Sequence, residues 1–382
     1  MVETLNPYHL IGQDQTRQYW ESLIQSGRFG HAHILSGHSG VGKDAMAFTI
    51  ASILNCKADK NKPCGECSAC RQMQNLEHPA LHLLFALPRR SASQTDPFSG
   101  IKEGEMTLIN EELAKKVKWP YYHLQIDGAN DIRIAAIRKL RKDIYLSHDT
   151  GSIRVVIILR AHRMNVEAAN ALLKVLEEPP AGTIFLLTTE FPDRLPDTIR
   201  SRCAMHHIPD LSWMLIRDDL IEKKGVNAVQ AEISARMAMG DLAAAHTYAE
   251  QDNTFWLDRI RATLNTLARE DFVSVHKQTL LLKDKDLEND ESRQQFLSLL
   301  ILFFRDVALD IKPGETALWV TQVQQMQKLF PGCDSHGAIK AIERTKDAIA
   351  RKVHLQLGIT ALFFELRKHL RGQANAGLNA KE

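Results

Sequence analysis

One segment limits what this chain can fold into more than any other: Ile34-Leu-Ser-Gly37-His-Ser-Gly40-Val-Gly42-Lys43-Asp44. It reads G-x-x-x-x-G-K. The apolar run His33 to Leu35 before it predicts a strand. The segment Ala45 to Leu54 after it predicts a helix, with Ala45, Phe48, Ala51 and Ile53 on its apolar face. A strand, a glycine turn and a helix N-terminus make a phosphate cradle. Backbone N–H groups at Gly37, Gly40 and Gly42 can close around phosphate oxygens only where no side chain intervenes. The helix end adds its positive pole, and Lys43 can reach the outer phosphates.

Two parts of a working hydrolase are missing from this frame. The position after the lysine should carry Ser or Thr to hold Mg²⁺, and here it is Asp44. The buried-type strand Ile153 to Leu159 should be followed by acidic residues that hold the metal and polarise water. It runs instead into Arg160-Ala161-His162. The loop is therefore expected to be a nucleotide site of degenerate kind. The retained Lys43 leaves binding of ATP or ADP open.

The cysteines give the second motif. Cys56, Cys64, Cys67 and Cys70 follow the loop's helix at C-x7-C-x2-C-x2-C spacing, with Pro63 and Gly65 supplying the turns. Four sulfurs so arranged suit tetrahedral Zn²⁺ in a structural site with no open position. Their neighbours Lys57, Lys60, Lys62, Glu66 and Arg71 leave little apolar surface in which to bury free thiols.

Strand-like and helix-like runs alternate as far as Thr183 to Thr189, which predicts a doubly wound α/β domain with the glycine loop at the carboxyl edge of its sheet. Residues 86–122, rich in Pro, Ser and Gln near their start, read as a loop insertion. Asp131 to Tyr145 reads as a helix with Arg133, Arg138, Lys139, Arg141 and Lys142 on its outer face. That face is either solvated or turned to DNA or an acidic partner. From Leu211 the pattern is helical: a small domain over 210–252, a larger one over 253–372, and a polar tail over 373–382. A composition 44% apolar and 25% charged, with a formal charge of +2, fits ordinary globular domains and gives no global pull towards nucleic acid. No apolar run is long enough to span a bilayer and no secretory signal is visible, so the expected compartment is the cytoplasm.

Taken in order, these motifs resemble the clamp-loader AAA+ subunits of bacterial DNA polymerase III, of the delta-prime type. The resemblance runs from about residue 5 to 375. It is carried by the glycine loop, the four-cysteine module, Asn170-Ala-Leu-Leu-Lys-Val-Leu-Glu-Glu-Pro-Pro180, the strand ending Leu-Leu-Thr-Thr189, and Ser201-Arg202-Cys203. It implies an AAA+ P-loop domain over 1–209 with a zinc module at 56–77, a helical lid, and a helical collar that joins subunits into a ring. It implies that Arg202 is an arginine finger acting in trans on a neighbour's nucleotide, worth roughly 10³–10⁵ in rate in related NTPases. Thr189 matches the position that reads the γ-phosphate. Ala243, in Gly240-Asp-Leu-Ala243, stands where active relatives carry the lid arginine. The implied partners are gamma/tau and delta subunits, the sliding clamp, and primed DNA through the complex. The implied role is that of a scaffold without ATPase activity of its own, inside a nucleotidyltransferase complex. Two other readings stand beside it: an active gamma/tau-like ATPase, and a zinc-dependent DNA-binding protein using the helix Asp131 to Tyr145.

Overall fold

A computed structural model describes residues 10–27, 29–89, 95–146, 151–250, 254–268, 290–309, 320–350 and 354–371. The expected polar tail 373–382 lies outside the described residues.

Two compact units divide the chain. The first comprises Met1–Ile216 with Gly240–Ala244, the second Arg217–Met239 with Ala245–Glu382.

The first unit is built on a five-stranded parallel sheet. Its strands are β1 (Ala32–Ser36), β2 (Leu81–Leu84), β3 (Arg154–Ile158), β4 (Thr183–Thr189) and β5 (Ala204–His207), in the order β2-β3-β4-β1-β5. The three inner strands are almost wholly buried, the signature of a sheet covered on both faces. Helices α1 (Asp14–Gln25), α2 (Lys43–Asn55), α3 (Ser68–Gln74), α4 (Glu103–Lys118), α5 (Ile134–Leu146), α6 (Val166–Glu177) and α7 (Asp197–Arg200) complete it. The core joins strand residues Ile34, Val156, Ile158, Phe185 and Leu187 to Ile137, Leu140 and Ile144 of α5 and Leu172, Val175 and Leu176 of α6. Helix α2 is buried on nearly every side from Lys43 to Ile53, so it runs inside the unit rather than over its surface. Trp20 of α1 is fully buried and stacks edge-on against Phe29 and His33.

The expected strand, loop and helix around Gly37 to Lys43 are all present. The expected loop over 86–122 needs correction: a 16-residue helix, α4, occupies much of it. Its buried residues are Ile109, Glu112 and Lys116, two of them charged, so no apolar stripe announces it.

The second unit is helical. Helix Asp290–Ala308 packs on Ser335–Ala350, which packs on Leu355–Leu370. Phe296, Phe303, Phe304 and Phe363 are fully buried there. No described helix is long and apolar enough to cross a membrane.

Candidate nucleotide cradle, metal centre and exposed arginine

The cradle forms where β1 ends and α2 begins. Parallel pairing sets Ser36 opposite Thr189, so the loop leaves the sheet beside the end of β4, in the crevice where open α/β sheets bind ligands. Gly40 and Gly42 have φ of 67° and 97°, a region side chains disfavour. Both are also packed closely by the chain itself. A Cβ on Gly40 would overlap the Asp241 carboxylate, and one on Gly42 would lie 2.9 Å from the Tyr121 ring.

The chain's own groups occupy the cradle. Lys43 is 7% exposed and donates to the His38 carbonyl, 2.5 Å away. Burial depresses its pKa, against the pull of Glu190, Asp44 and Asp241. Asp44 pairs with Lys116 of α4, Nζ to Oδ2 2.6 Å, and the same ammonium donates to the Tyr122 carbonyl at 2.7 Å. Lys116 is 1% exposed. Burial would raise the Asp44 pKa, but the Lys116 charge and hydrogen bond, Lys43 and Thr188 outweigh it and hold the carboxyl at about 2. Lys116 is itself pulled below the usual lysine range, because burial costs the ammonium more than Asp44 returns.

A second clamp closes the other side. His123 Nε2 lies 3.1 Å from Ser39 Oγ and 3.4 Å from Asp241 Oδ2. Asp241 accepts from the Ala244 N–H at 2.9 Å. Burial of Asp241 is offset by His123, that N–H and Ser39, and its carboxyl is held at about 2. The Leu242 N–H donates to the Gly40 carbonyl, and the Ile11 N–H to Tyr121 Oη. Among the described residues, the space left over Gly40 to Asp44 is a cavity of about 20 Å³, with one of about 50 Å³ beside it under Phe85 and Leu124. About 10–15 Å³ of such space holds one water, whereas ligand pockets run to several hundred.

Strand parity places the sensor residues otherwise than expected. Thr188 and Glu190 line the cradle. Thr189 is fully buried, accepts from the Phe191 N–H at 3.1 Å and lies 3.0 Å from His162 Nδ1. Successive side chains of a strand point to opposite faces, so Thr188 and Thr189 cannot both face the loop. Burial, against the pull of Glu190, drives the His162 pKa down to about 4. Glu190, which the sequence reading missed, is 3.6 Å from Arg160. It comes from the end of β4, whereas a carboxylate is expected after β3; acidic residues following the neighbouring strand are the signal for it.

The four cysteines converge. Their Sγ atoms lie within 4.8 Å of one another. The N–H groups of Cys64, Cys67 and Cys70 point at the sulfurs of Cys56, Cys64 and Cys67, each at 3.4 Å. Backbone N–H groups of Cys67 and Glu66 lower the Cys64 pKa, and donors aimed at sulfur favour thiolate. Cys67 caps α3. This donor set fits a metal ion: sulfurs bound tetrahedrally at ~2.3 Å would sit roughly 3.8 Å apart.

Arg202 lies at the other edge of the sheet. His33 is level with Ala204, so Arg202 stands beyond the amino end of β1, whereas the cradle begins beyond its carboxyl end. At ~3.3 Å per residue the two are roughly 20 Å apart along the strand direction. Its side chain is 38% exposed, and the guanidinium pairs with Glu177 at 2.6 Å and donates to the Thr198 carbonyl at 3.0 Å. Ile199 and Cys203 on either side are buried, and burial raises the Cys203 thiol pKa to about 11.

A parallel sheet with a glycine loop and helix N-terminus at its carboxyl edge defines an α/β protein of the P-loop NTPase type. The family model described as "DNA polymerase III, delta subunit" matches residues 12–212. The chain belongs to that family, in keeping with the resemblance to clamp-loader AAA+ subunits of the delta-prime type. It is 27% identical over 335 residues to DNA polymerase III subunit delta' of Bacillus subtilis (strain 168), covering 86% of this chain and 84% of that one. It is 31% identical over 196 residues to subunit delta' of Escherichia coli (strain K12), covering 50% and 47%. To subunit tau of B. subtilis it is 25% identical over 319 residues, covering 78% of this chain. The match spans about half the length of that tau subunit and of the E. coli delta' subunit.

Proposed function

We propose that the chain is a delta-prime-type subunit of a DNA polymerase III clamp loader, an AAA+ scaffold that does not hydrolyse ATP and that supplies Arg202 in trans to a neighbour's nucleotide. The observation that carries this reading is the contrast between the two edges of one sheet. At one edge the cradle is filled by Lys116, Tyr121, His123 and Asp241 of the same chain. At the other, an arginine stands at the surface, too far from that cradle to serve it. A guanidinium placed against transferring phosphoryl oxygens stabilises their charge in the transition state.

In this reading the helices Trp213–Lys224, Ala228–Met237 and Leu242–Ala249 form the lid, and those from Thr254 onward the collar. The four cysteines hold a structural Zn²⁺. The partners are gamma/tau and delta subunits in a hetero-oligomeric ring that opens the sliding clamp and places it on primed DNA.

The test combines binding and turnover. The purified chain alone is expected to show no ATP or ADP binding at millimolar nucleotide by calorimetry, and no hydrolysis. Reconstituted with gamma/tau and delta, Arg202→Ala is expected to lower clamp- and DNA-stimulated ATP hydrolysis at the adjoining site at least about 10³-fold, while assembly by gel filtration stays intact. Unchanged turnover in the Arg202→Ala complex would refute the role in trans. Hydrolysis by the isolated chain that is lost on Lys43→Ala would favour the active gamma/tau-like reading instead.

A further inference from the structure

The motif Asn170 to Pro180 ends in Glu-Glu-Pro-Pro. Pro179 and Pro180 stop α6, which makes Glu177 its last helical residue and Glu178 its C-cap. A carboxylate there faces the negative pole of the helix, a position that favours cations. The two glutamates go separate ways. Glu178 borders the groove lined by Arg138, Arg141 and Lys174, and its carbonyl accepts from Tyr145 Oη at 2.7 Å. Glu177 turns to Arg202, Oε1 to Nη2 2.6 Å.

The geometry points to Glu177 as the positioning residue for Arg202, the group that fixes its guanidinium in the orientation used in trans. The inference rests on the reading of Arg202 given above.

Both partners are delivered by rigid backbone. Ala168, Ala169, Leu172, Val175 and Leu176 anchor α6 in the core. Arg202 is held between buried Ile199 and Cys203, and its N–H donates to the Ile199 carbonyl at 3.1 Å. What remains free is the long side chain, and an unrestrained arginine samples many rotamers. Two contacts restrain it: Nη2 to Glu177, and Nη1 to the Thr198 carbonyl. A guanidinium carries five N–H donors in one plane. These contacts use one hydrogen from each terminal nitrogen. The Nε hydrogen and one on each of Nη1 and Nη2 remain, so the group can still donate a two-pronged fork to a phosphate.

Glu177 does not trap the arginine. The two side chains are 38% and 49% exposed, and ion pairs in water are weak. A triphosphate with several negative charges outcompetes a single solvated carboxylate, or binds beside it. Glu177 therefore orders the finger before the neighbour arrives without holding it back afterwards.

The experiment uses the full chain assembled with gamma/tau and delta subunits, with kcat and KM for ATP measured in the presence of clamp and primed DNA. Glu177→Ala is expected to lower kcat about three- to fivefold, the scale of one exposed ion pair, with KM changed less than about twofold. Glu177→Gln, whose amide oxygen still accepts a hydrogen bond, is expected to recover most of that loss. In an Arg202→Ala background, Glu177→Ala is expected to add nothing. Gel filtration and thermal melting establish that every variant folds and assembles. A kcat unchanged or raised by Glu177→Ala overturns the positioning role, as does an equal loss in the Arg202→Ala background, which would mark Glu177 as merely structural. If Arg202→Ala itself leaves turnover intact, the trans reading falls and takes this one with it. If Arg202→Ala abolishes turnover and Glu177→Ala does not affect it, only the role of Glu177 falls.

Discussion

Asp44 shows how one residue changes the meaning of a motif. Beside Lys43 a hydroxyl would hold Mg²⁺; a largely buried carboxylate there, its side chain 20% exposed, needs a cation of its own. Lys116 supplies it from 72 residues further along the chain. Breaking a buried pair by removing one partner costs about 3–5 kcal/mol, because the other charge stays buried and uncompensated. Lys116→Ala is therefore expected to destabilise the first unit by roughly that amount in urea unfolding. Asp44→Ala combined with Lys116→Met should recover most of the loss, since an apolar pair of similar volume removes both buried charges. Were the single variant as stable as the native chain, the pair would be incidental. Thr188 and Thr189 teach a related point: the sequence Leu-Leu-Thr-Thr offers two equivalent hydroxyls, and only the pleat, pinned by pairing to β1, decides which one faces the loop.

At the scale of elements, legibility followed the kind of surface each one buries. β3 and β4 carry unbroken apolar runs over 155–158 and 184–187, and α2 is mostly apolar after its first turn, so hydrophobic pattern alone finds them. The four-cysteine module is equally plain from its spacing. Helix α4 is not, because Glu112 and Lys116 make up most of what it buries. Glu112 accepts from Tyr122 Oη at 2.8 Å and from the Gln125 N–H at 2.7 Å, so a polar network does the work of an apolar stripe. The plug at the cradle was invisible for the same reason: its members, Lys116, Tyr121 and His123, look like loop residues until the fold sets them against Gly42 and Asp44. The cysteine module, by contrast, makes its own prediction. Its sulfurs converge on a short turn and the start of α3, where Ala69 and Met73 are the buried apolar side chains beside Cys56 and Cys70. Metal analysis is expected to give about one Zn²⁺ per chain, and stripping it should expose the segment 56–76 to proteolysis while the sheet persists by circular dichroism. A stripped chain with unchanged protection there would argue against a metal-dependent fold.

For the molecule as a whole, acid is the informative stress. Asp44 and Asp241 lie in the same unit and both titrate at about 2 when folded, against 3.8 for an unconstrained aspartate. Depressed carboxyl pKa values contribute stability above about pH 4 that is lost as pH falls through about 2. Each is worth up to roughly 2 kcal/mol. The depressed pKa of Lys116 subtracts a constant amount throughout that acid range and adds no slope to it. The first unit is thus expected to unfold on acidification between about pH 4 and 2. Asp44→Asn should flatten that dependence in denaturant titrations followed by circular dichroism; an unaltered pH profile would mean that Asp44 does not govern acid stability.

The roughly 20 Å between Arg202 and the cradle has a consequence for any circular assembly. Subunits joined head to tail each present one edge to the member ahead and the other to the member behind. On the proposed reading, a chain with an exposed arginine on one edge and a filled recess on the other would act on only one of its two neighbours. Inserted once into such a circle, it would break the rotational equivalence of the remaining positions. One site would gain a donor from it, the opposite flank would receive no signal through it, and the circle would acquire a first and a last member.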